Sequence, residues 1–364
     1  MDNYNSRRVA LKFFITACLV AAMYYFVMEK IRQPIEVDGG YREIMGTFAR
    51  IVAVAKHERQ ARRYIEAGFN ELRRIDAMMS DYKEDSELSK VNREAFAKPV
   101  KVSPELFEIL QKSVEFSRLS NGAFDITVGP LVDLWHKAGE ANVMPDESTL
   151  VEARARVGYE KLILDANERT VRFAVAGMRL DLGGIGKGYA VDKAVEIMQR
   201  KGAIAGMVDS GGNIRCFGRP AGGRGLALGG PAGKDAWLIG IQDPNLADSD
   251  ERMADSQPLL VLKLNDCAVA TSGDYRRFVM VGGKKVSHII DTNSGGGAGK
   301  LSSDTIIAKT AVDADALSTT VNVLGPEKGL ALIESFPDVE CILIIPGPDY
   351  RVIKSTEADA YISN

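Results

Sequence analysis

Residues 178–190 read MRLDLGGIGKGYA. An apolar lead-in, glycines at 183, 184, 186 and 188, and then helix-forming residues predict a strand over 178–182, a tight turn, and a helix from near Gly188 to about Lys201. A turn of this kind offers backbone N–H groups to a phosphate. Two familiar motifs are excluded. With Gly184 and Gly186 as the first pair of a dinucleotide fingerprint, Tyr189 stands where the third Gly or Ala belongs. A P-loop ending in Gly186-Lys187 needs Gly at 181 and Ser or Thr at 188, where Asp181 and Gly188 stand. A strand-to-helix turn without any ligand remains an equal reading of this segment alone.

Outward from the turn, the pattern predicts a strand over 47–55 (TFARIVAVA) and a helix over 58–79. A polar, turn-rich loop over 79–92 enters a short helix. A further helix covers 103–119, with Ser103 as N-cap before Pro104. Short strands are expected over 161–164, 171–173, 206–209, 237–242, 259–264, 268–271 and 340–345, and helices over 313–323 and 326–335. Residues 31–44 read as a polar linker, and 219–234 and 245–257 as insertion-like loops. Strands and helices mix without regular βαβ alternation, so the fold class is α+β.

Lys and Arg total 46 against 49 for Asp and Glu, a net charge of −3 that argues against a nucleic-acid surface. With 46% hydrophobic and 26% charged residues, the 364-residue chain is composed like a globular protein. Residues 13–28 (FFITACLVAAMYYFVM) are uncharged and apolar, behind Arg7, Arg8 and Lys12. With Val9 to Lys12 counted, the run is long enough to span a bilayer, and the flanking charges place the remainder outside the cytoplasm. SRRVALK (6–12) is similar to a twin-arginine export signal, and Cys18 allows a lipidation reading. The expected division is a signal or membrane anchor over 1–35 and one catalytic domain over 36–364, in the cell envelope. Cys216, Cys267 and Cys341 show no metal or disulfide spacing and read as small buried hydrophobes.

Polar clusters follow several apolar runs: Asp209-Ser210-Gly211-Gly212-Asn213, Thr271-Ser272-Gly273-Asp274-Tyr275 and Ser287-His288-Ile289-Ile290-Asp291. Small hydroxyl residues and glycines at strand ends build pockets. In ADALSTT (314–320), Asp315 and Thr319 are four apart and share one helix face. One carboxylate plus one hydroxyl suits Mg²⁺, which completes its shell from phosphate and water. Asp315 as a helix cap, with Thr319 bonding back to a carbonyl, is the competing structural reading.

Taken in order, MGT (45–47), MSDYKEDSELSKVN (79–92), SNGAFDITVGPLVDLW (120–135), DLGGIGKGYAVD (181–192), DSGGN, TSGDY, HIID (288–291) and ADALSTT resemble the ApbE family over about residues 41–335. The resemblance implies an α+β, T-fold-related domain of two lobes around a flavin cleft. It implies FAD as donor, Mg²⁺ as cofactor, and transfer of FMN to a Thr or Ser of a partner protein. By position, the flavin-binding residues would be Met45, Tyr82, Ala123, Phe124, Asp125, Gly183, Lys187, Tyr189 and Ile289. The metal would be held by the Gly186 carbonyl, Asp315 and Thr319. Two departures stand out: many members have Ala where Gly186 stands, and Pro-Arg-Thr-Gly where this chain has Thr292-Asn293-Ser294-Gly295.

In the expected chemistry, catalytic Asp315 holds the metal on the FAD pyrophosphate, and Lys187 and the turn amides add donors. AMP leaves, and the nucleophile belongs to an exported FMN-binding protein of a redox complex, of the quinone-reductase or nitrous-oxide-respiration type. Of three histidines, His288 is the candidate base, since His57 and His136 lie away from the motifs. A Mg²⁺-dependent FAD pyrophosphatase and a non-catalytic FAD-binding assembly factor are the alternatives.

Overall fold

A computed structural model describes residues 14–24, 34–221, 235–244, 258–273, 278–347 and 351–363. The expected loops beyond 221 and over 245–257, and Asp274 and Tyr275 of the TSGDY cluster, lie outside them.

The main sheet has eight strands, all antiparallel. Their spatial order is β1 (Ile35–Ile44), β2 (Thr47–Ala55), β6 (Ala205–Ser210), β7 (Asn213–Phe217), β10 (Ala268–Gly273), β13 (Ser303–Ala308), β14 (Glu340–Ile345) and β15 (Arg351–Lys354). Period-two alternation in β2 explains its place. Ala49, Ile51, Ala53 and Ala55 face one core and Val52 and Val54 the other, so the strand is covered on both sides. Helices α2 (Glu58–Met79), α7 (Gly186–Arg200) and α8 (Ala311–Leu324) cover the first face. On α2, Ala61, Ile65, Phe69, Leu72, Ile75 and Met79 form the buried stripe that helical spacing requires. The second face is closed by the hairpin β8 (Trp237–Ile241) and β9 (Leu260–Leu264), through Trp237, Ile239, Ile241, Leu262 and Leu264.

A smaller assembly sits beside this body. The short sheet β3 (Val100–Lys101), β5 (Thr170–Phe173), β4 (Leu162–Asp165) and helix α4 (Pro104–Leu119) extend the main core. As the N-cap spacing predicts, Ser103 Oγ accepts from Leu106 N at 3.3 Å. Helices α5 (Gly129–Ala141) and α6 (Glu147–Ala155) and the hairpin β11 (Phe278–Val281) and β12 (Lys284–Ser287) enclose a separate core of Leu131, Trp135, Ala138, Val281 and Ile290. The mixed architecture with an antiparallel main sheet agrees with the α+β expectation.

Two expectations fail. Residues 31–44 are not a linker throughout, because β1 occupies Ile35–Ile44 at the sheet edge. An edge strand keeps much of its surface in water, so its composition is polar, and the Gly39-Gly40 irregularity between Asp38 and Tyr41 breaks the alternation. Residues 178–182 are not a strand either. They make one isolated bridge, Val128 to Arg179, and their backbone groups find partners elsewhere. Asn92 brackets Leu180, donating to its carbonyl at 3.0 Å and accepting from its N–H at 2.8 Å, and Asp181 N donates to Ile126 O.

Residues 14–24 form helix α1, exposed along its whole length, and the rest of the apolar run lies outside the described residues. Among the described residues, no helix is long and apolar enough to cross a membrane.

Helices α7 and α8 approach closely at Gly188. A Cβ there would lie 2.2 Å from the Ala311 carbonyl oxygen and 2.8 Å from Asp315 Cβ. The Gly188→Ala variant is expected to lose about 3 kcal/mol or fail to fold, since backbone must move to admit the methyl. Urea denaturation of the two proteins side by side measures this, and equal midpoints would contradict it.

Candidate active site

The glycine turn and ADALSTT come together at this crossing. Gly186 opens α7, its N–H donating to Leu182 O at 2.7 Å. Asp315 is 4% exposed, with Oδ2 accepting from Gly188 N at 2.8 Å and Oδ1 3.8 Å from Lys187 Nζ. Lys187 folds back to donate to Gly183 O at 2.9 Å, and Gly183 N donates to Asp181 Oδ1 at 2.7 Å. One turn along α8, half-buried Thr319 donates to Gly184 O at 3.3 Å. A Cβ at Gly184 would lie 2.9 Å from Thr319 Oγ1, so the glycine is what lets the hydroxyl reach the turn.

The structural bonds expected as the alternative for ADALSTT are present, with partners in the glycine turn and α7 in place of the helix's own backbone. The N-cap of α8 is Thr310, whose Oγ1 accepts from Asp313 N, and Asp315 lies inside the helix, bonding to the other helix. Thr319 bonds to the glycine turn and not to its own helix.

Two side chains that spacing did not single out set this arrangement. Asp192 of α7 accepts from Ala311 N and Val312 N at 2.9 Å each and from Arg215 Nη1 at 2.6 Å, which fixes the start of α8. Burial pushes its carboxyl up, and the Arg215 guanidinium and the two N–H groups pull it back. On the sheet side of α8, Ser318 donates to buried Asp304 at 2.6 Å and lies 2.7 Å from Ser272 Oγ, while Asn322 donates to Asp304 at 3.0 Å. The only signals available were Asp192 at the end of DLGGIGKGYAVD and a run of small polar residues on an otherwise apolar helix.

The other candidates divide into two groups. Phe124, Asp125 and Tyr189 are turned into the fold. Phe124 is 2% exposed and packs edge-on to Phe116. Asp125 accepts from Thr127 N, Thr127 Oγ1 and Tyr159 N, and burial raises its carboxyl. Tyr189 is 3% exposed and donates to Glu108 Oε2 of α4 at 2.8 Å, with burial pushing its phenol up. Ala123 and Ile289 instead meet each other, with Ala298 and with Val323 of α8, one turn beyond Thr319. Exposed His288 follows β12 immediately before Ile289.

The departure at 292–295 builds its own turn. Asp291 accepts from Asn293 N and Ser294 Oγ, and Thr292 Oγ1 donates to Gly122 O beside Ala123. Met45 sits at φ 57° and Gly46 at φ 64°, the two-residue turn joining β1 to β2, packed beside the DSGGN turn through Thr47 and Gly211. Tyr82 is exposed in the loop between α2 and α3 (Glu87–Glu94). Its neighbour Asp81 pairs with Arg179, which also pairs with Asp133 of α5 at 2.6 Å.

Among the described residues, no three His, Cys, Asp or Glu side chains converge as a metal cluster. Mg²⁺ does not need one. A single carboxylate oxygen, a hydroxyl within a turn of it and a glycine-lined approach suit a hard cation that takes its other ligands from phosphate and water. The donor set therefore fits.

Fold and site together define an α+β protein in which a glycine turn opening one helix meets one acid and one hydroxyl of a second, an arrangement of the kind found in enzymes acting on phosphate esters. The ApbE family model matches residues 45–343, and the chain belongs to that family. A relative from Treponema pallidum (strain Nichols), named FAD:protein FMN transferase, is 34% identical over 85% of this chain and 84% of its own. One from Haemophilus influenzae with the same name is 34% identical over 79% and 80%. Among solved structures, the ApbE protein of Thermotoga maritima matches with TM-score 0.77 at 30% identity, covering 91% of this chain and 100% of that one. The flavin transferase ApbE from Vibrio cholerae matches with TM-score 0.73 at 28% identity, covering 90% and 99%.

Asp81 offers a pH test of the loop that carries Tyr82. Burial first, and then the Asp181 charge, raise its carboxyl from 3.8 to about 6 against the pull of Arg179. A carboxyl raised on folding favours the folded state when protonated. Its contribution is complete below the unfolded value and lost as pH rises through about 6. Thermal melts from pH 4 to 7.5 are expected to show the wild type losing stability relative to Asp81→Asn as pH rises from about 4 to about 6, and no further loss above that. A pH-independent difference would reject this.

Proposed function

We propose that this protein is an FAD:protein FMN transferase, moving the FMN half of FAD to a Thr or Ser hydroxyl of an exported FMN-binding protein. The observation that carries the reading is the pair Asp315 and Thr319, held against the start of α7 in a chain of the ApbE family. The dipole at the start of α7 and the cation of Lys187 beside it draw the pyrophosphate. Asp315, Thr319 and the Gly186 carbonyl would hold Mg²⁺, which when bound neutralises part of the pyrophosphate charge. We assign Met45, Tyr82, Ala123 and Ile289 to the isoalloxazine end.

The acceptor hydroxyl gives its proton to His288 as its oxygen bonds to the phosphorus nearest riboflavin. The bond from that phosphorus to the bridging oxygen breaks, and AMP leaves with the electron pair. Positive charge at Lys187 and at the positive end of the α7 dipole lowers the barrier by matching charge that grows on the phosphoryl oxygens. We also place the body outside the cytoplasm, tethered by the apolar run over residues 13–28 behind Arg7, Arg8 and Lys12. The exposure of α1, every described residue of which is exposed, supports this.

Incubation with FAD, Mg²⁺ and an exported FMN-binding domain is expected to add one FMN to the acceptor by intact mass, with AMP released and both suppressed by EDTA. Asp315→Ala and Thr319→Ala are expected to lower the rate at least about 100-fold, with circular dichroism unchanged. Free FMN with an unmodified acceptor would favour the pyrophosphatase or a wrong acceptor, and intact FAD throughout would point to the assembly factor. For His288→Ala, a large rate loss with FAD still bound and the acid limb of the pH–rate profile gone is expected. An unchanged profile would remove His288 as base.

A further inference from the structure

Three cysteines outside the N-terminal run are buried, and the fold brings two of them together. Arg215 pairs with Ala268 in the ladder between β7 and β10, and the next step of that register sets Cys216 opposite Cys267. Cys216 N donates to Cys267 O at 2.9 Å, which extends the ladder to this pair. Directly opposite residues of an antiparallel pair point to the same face, and here both side chains join the core under the β8–β9 hairpin. Cys341 packs in the core on the other face of the sheet. Hydrogen-bonded antiparallel partners have Cα atoms about 5.5 Å apart, within the roughly 4.4–6.8 Å that a disulfide spans.

We propose that Cys216 and Cys267 are a redox pair that closes to a cross-strand disulfide when the protein meets an oxidising thiol–disulfide couple. Cys267 is 9% exposed and Cys216 fully buried, so Cys267 reacts first. Its thiolate attacks a sulfur of the external disulfide, forming a mixed disulfide and releasing one thiol. Cys216 then attacks the Cys267 sulfur, forming the protein disulfide and releasing the second thiol. Each cysteine proton ends on a released thiol, and the external disulfide takes the two electrons. Burial raises both thiols, and the Cys267 charge raises Cys216 further, so closure is slow at neutral pH and faster at alkaline pH.

The bond would enclose about fifty residues, including the β8–β9 hairpin, and tie the strands to each other. It sits at the ends of β7 and β10 remote from Asn213 and from Ser272-Gly273, so the site is not obstructed. The pairing is independent of the transferase reading, because it concerns strands and thiols alone.

The test uses the purified full chain with excess oxidised glutathione at mildly alkaline pH, followed by denaturation, alkylation and non-reducing peptide mass mapping. A Cys216–Cys267 linked peptide pair, about 2 Da lighter than the two thiol peptides together, is expected, with Cys341 still a thiol. The oxidised protein should melt several degrees higher, and dithiothreitol should reverse the gain. Cys216→Ser should stop the reaction at a glutathione adduct on Cys267. Refolding from urea in the same couple covers the case in which native packing bars the oxidant. Recovery of both residues as alkylated thiols, or as two separate glutathione adducts, after both procedures would overturn the proposal.

Discussion

The crossing of α7 and α8 at Gly188 is the constraint on which the rest of the molecule depends. Each helix gives a buried carboxylate to the other's backbone: Asp192 of α7 takes the N–H groups of Ala311 and Val312, and Asp315 of α8 takes that of Gly188. Hydrogen bonds to ionised acceptors are about twice as strong as neutral ones, and losing one leaves a buried charge or N–H unsatisfied. The absent Cβ at 188 permits the approach, and the reciprocal bonds fix the sliding of one helix along the other. Without that register, Thr319 would not meet Gly184 and Lys187 would not face Asp315.

The main sheet makes this crossing rigid. Arg215 comes from β7 to Asp192, and Asp304 from β13 to Ser318 and Asn322, so α8 is tied to the sheet at its start and along its polar stripe. Both sheet faces are buried, and the strands cannot slip by one residue without moving apolar side chains to the wrong core. The DSGGN and TSG ends of β6, β7 and β10 thus arrive at the same end of the sheet in a fixed position. The Arg179 pairs with Asp81 and Asp133 do the same for the Tyr82 loop and α5, with a carboxyl whose titration near 6 makes that tie sensitive to pH.

Legibility in the sequence followed how local the cause was. Helix α2 is readable because its stripe repeats at 3.6 residues, and α4 because Ser103 and Pro104 signal its start within the chain itself. The polar edge strand β1 reads as linker, since its partner β2 supplies order that composition does not encode. Residues 178–182 look like a strand, yet a side chain 88 positions away, Asn92, takes the place of a neighbouring strand. Among the carried-over site residues, Asp315, Thr319, Gly186 and Lys187 converge, whereas Phe124, Asp125 and Tyr189 serve as internal ties, a distinction that motif position cannot draw.

The α+β class and the shared face of Asp315 and Thr319 on α8 are written in the chain itself, because alternation, helical period and i, i+4 spacing act within a few residues, and the ordered motifs carried the likeness to the family. Only the tertiary structure decided which partner each of those groups meets. Asp315 could have capped its own helix and the cysteines could have stayed apart. Close packing at Gly188 and the β7–β10 register set Asp315 on α7 and Cys216 beside Cys267, and contacts between residues distant in sequence are written in no local pattern.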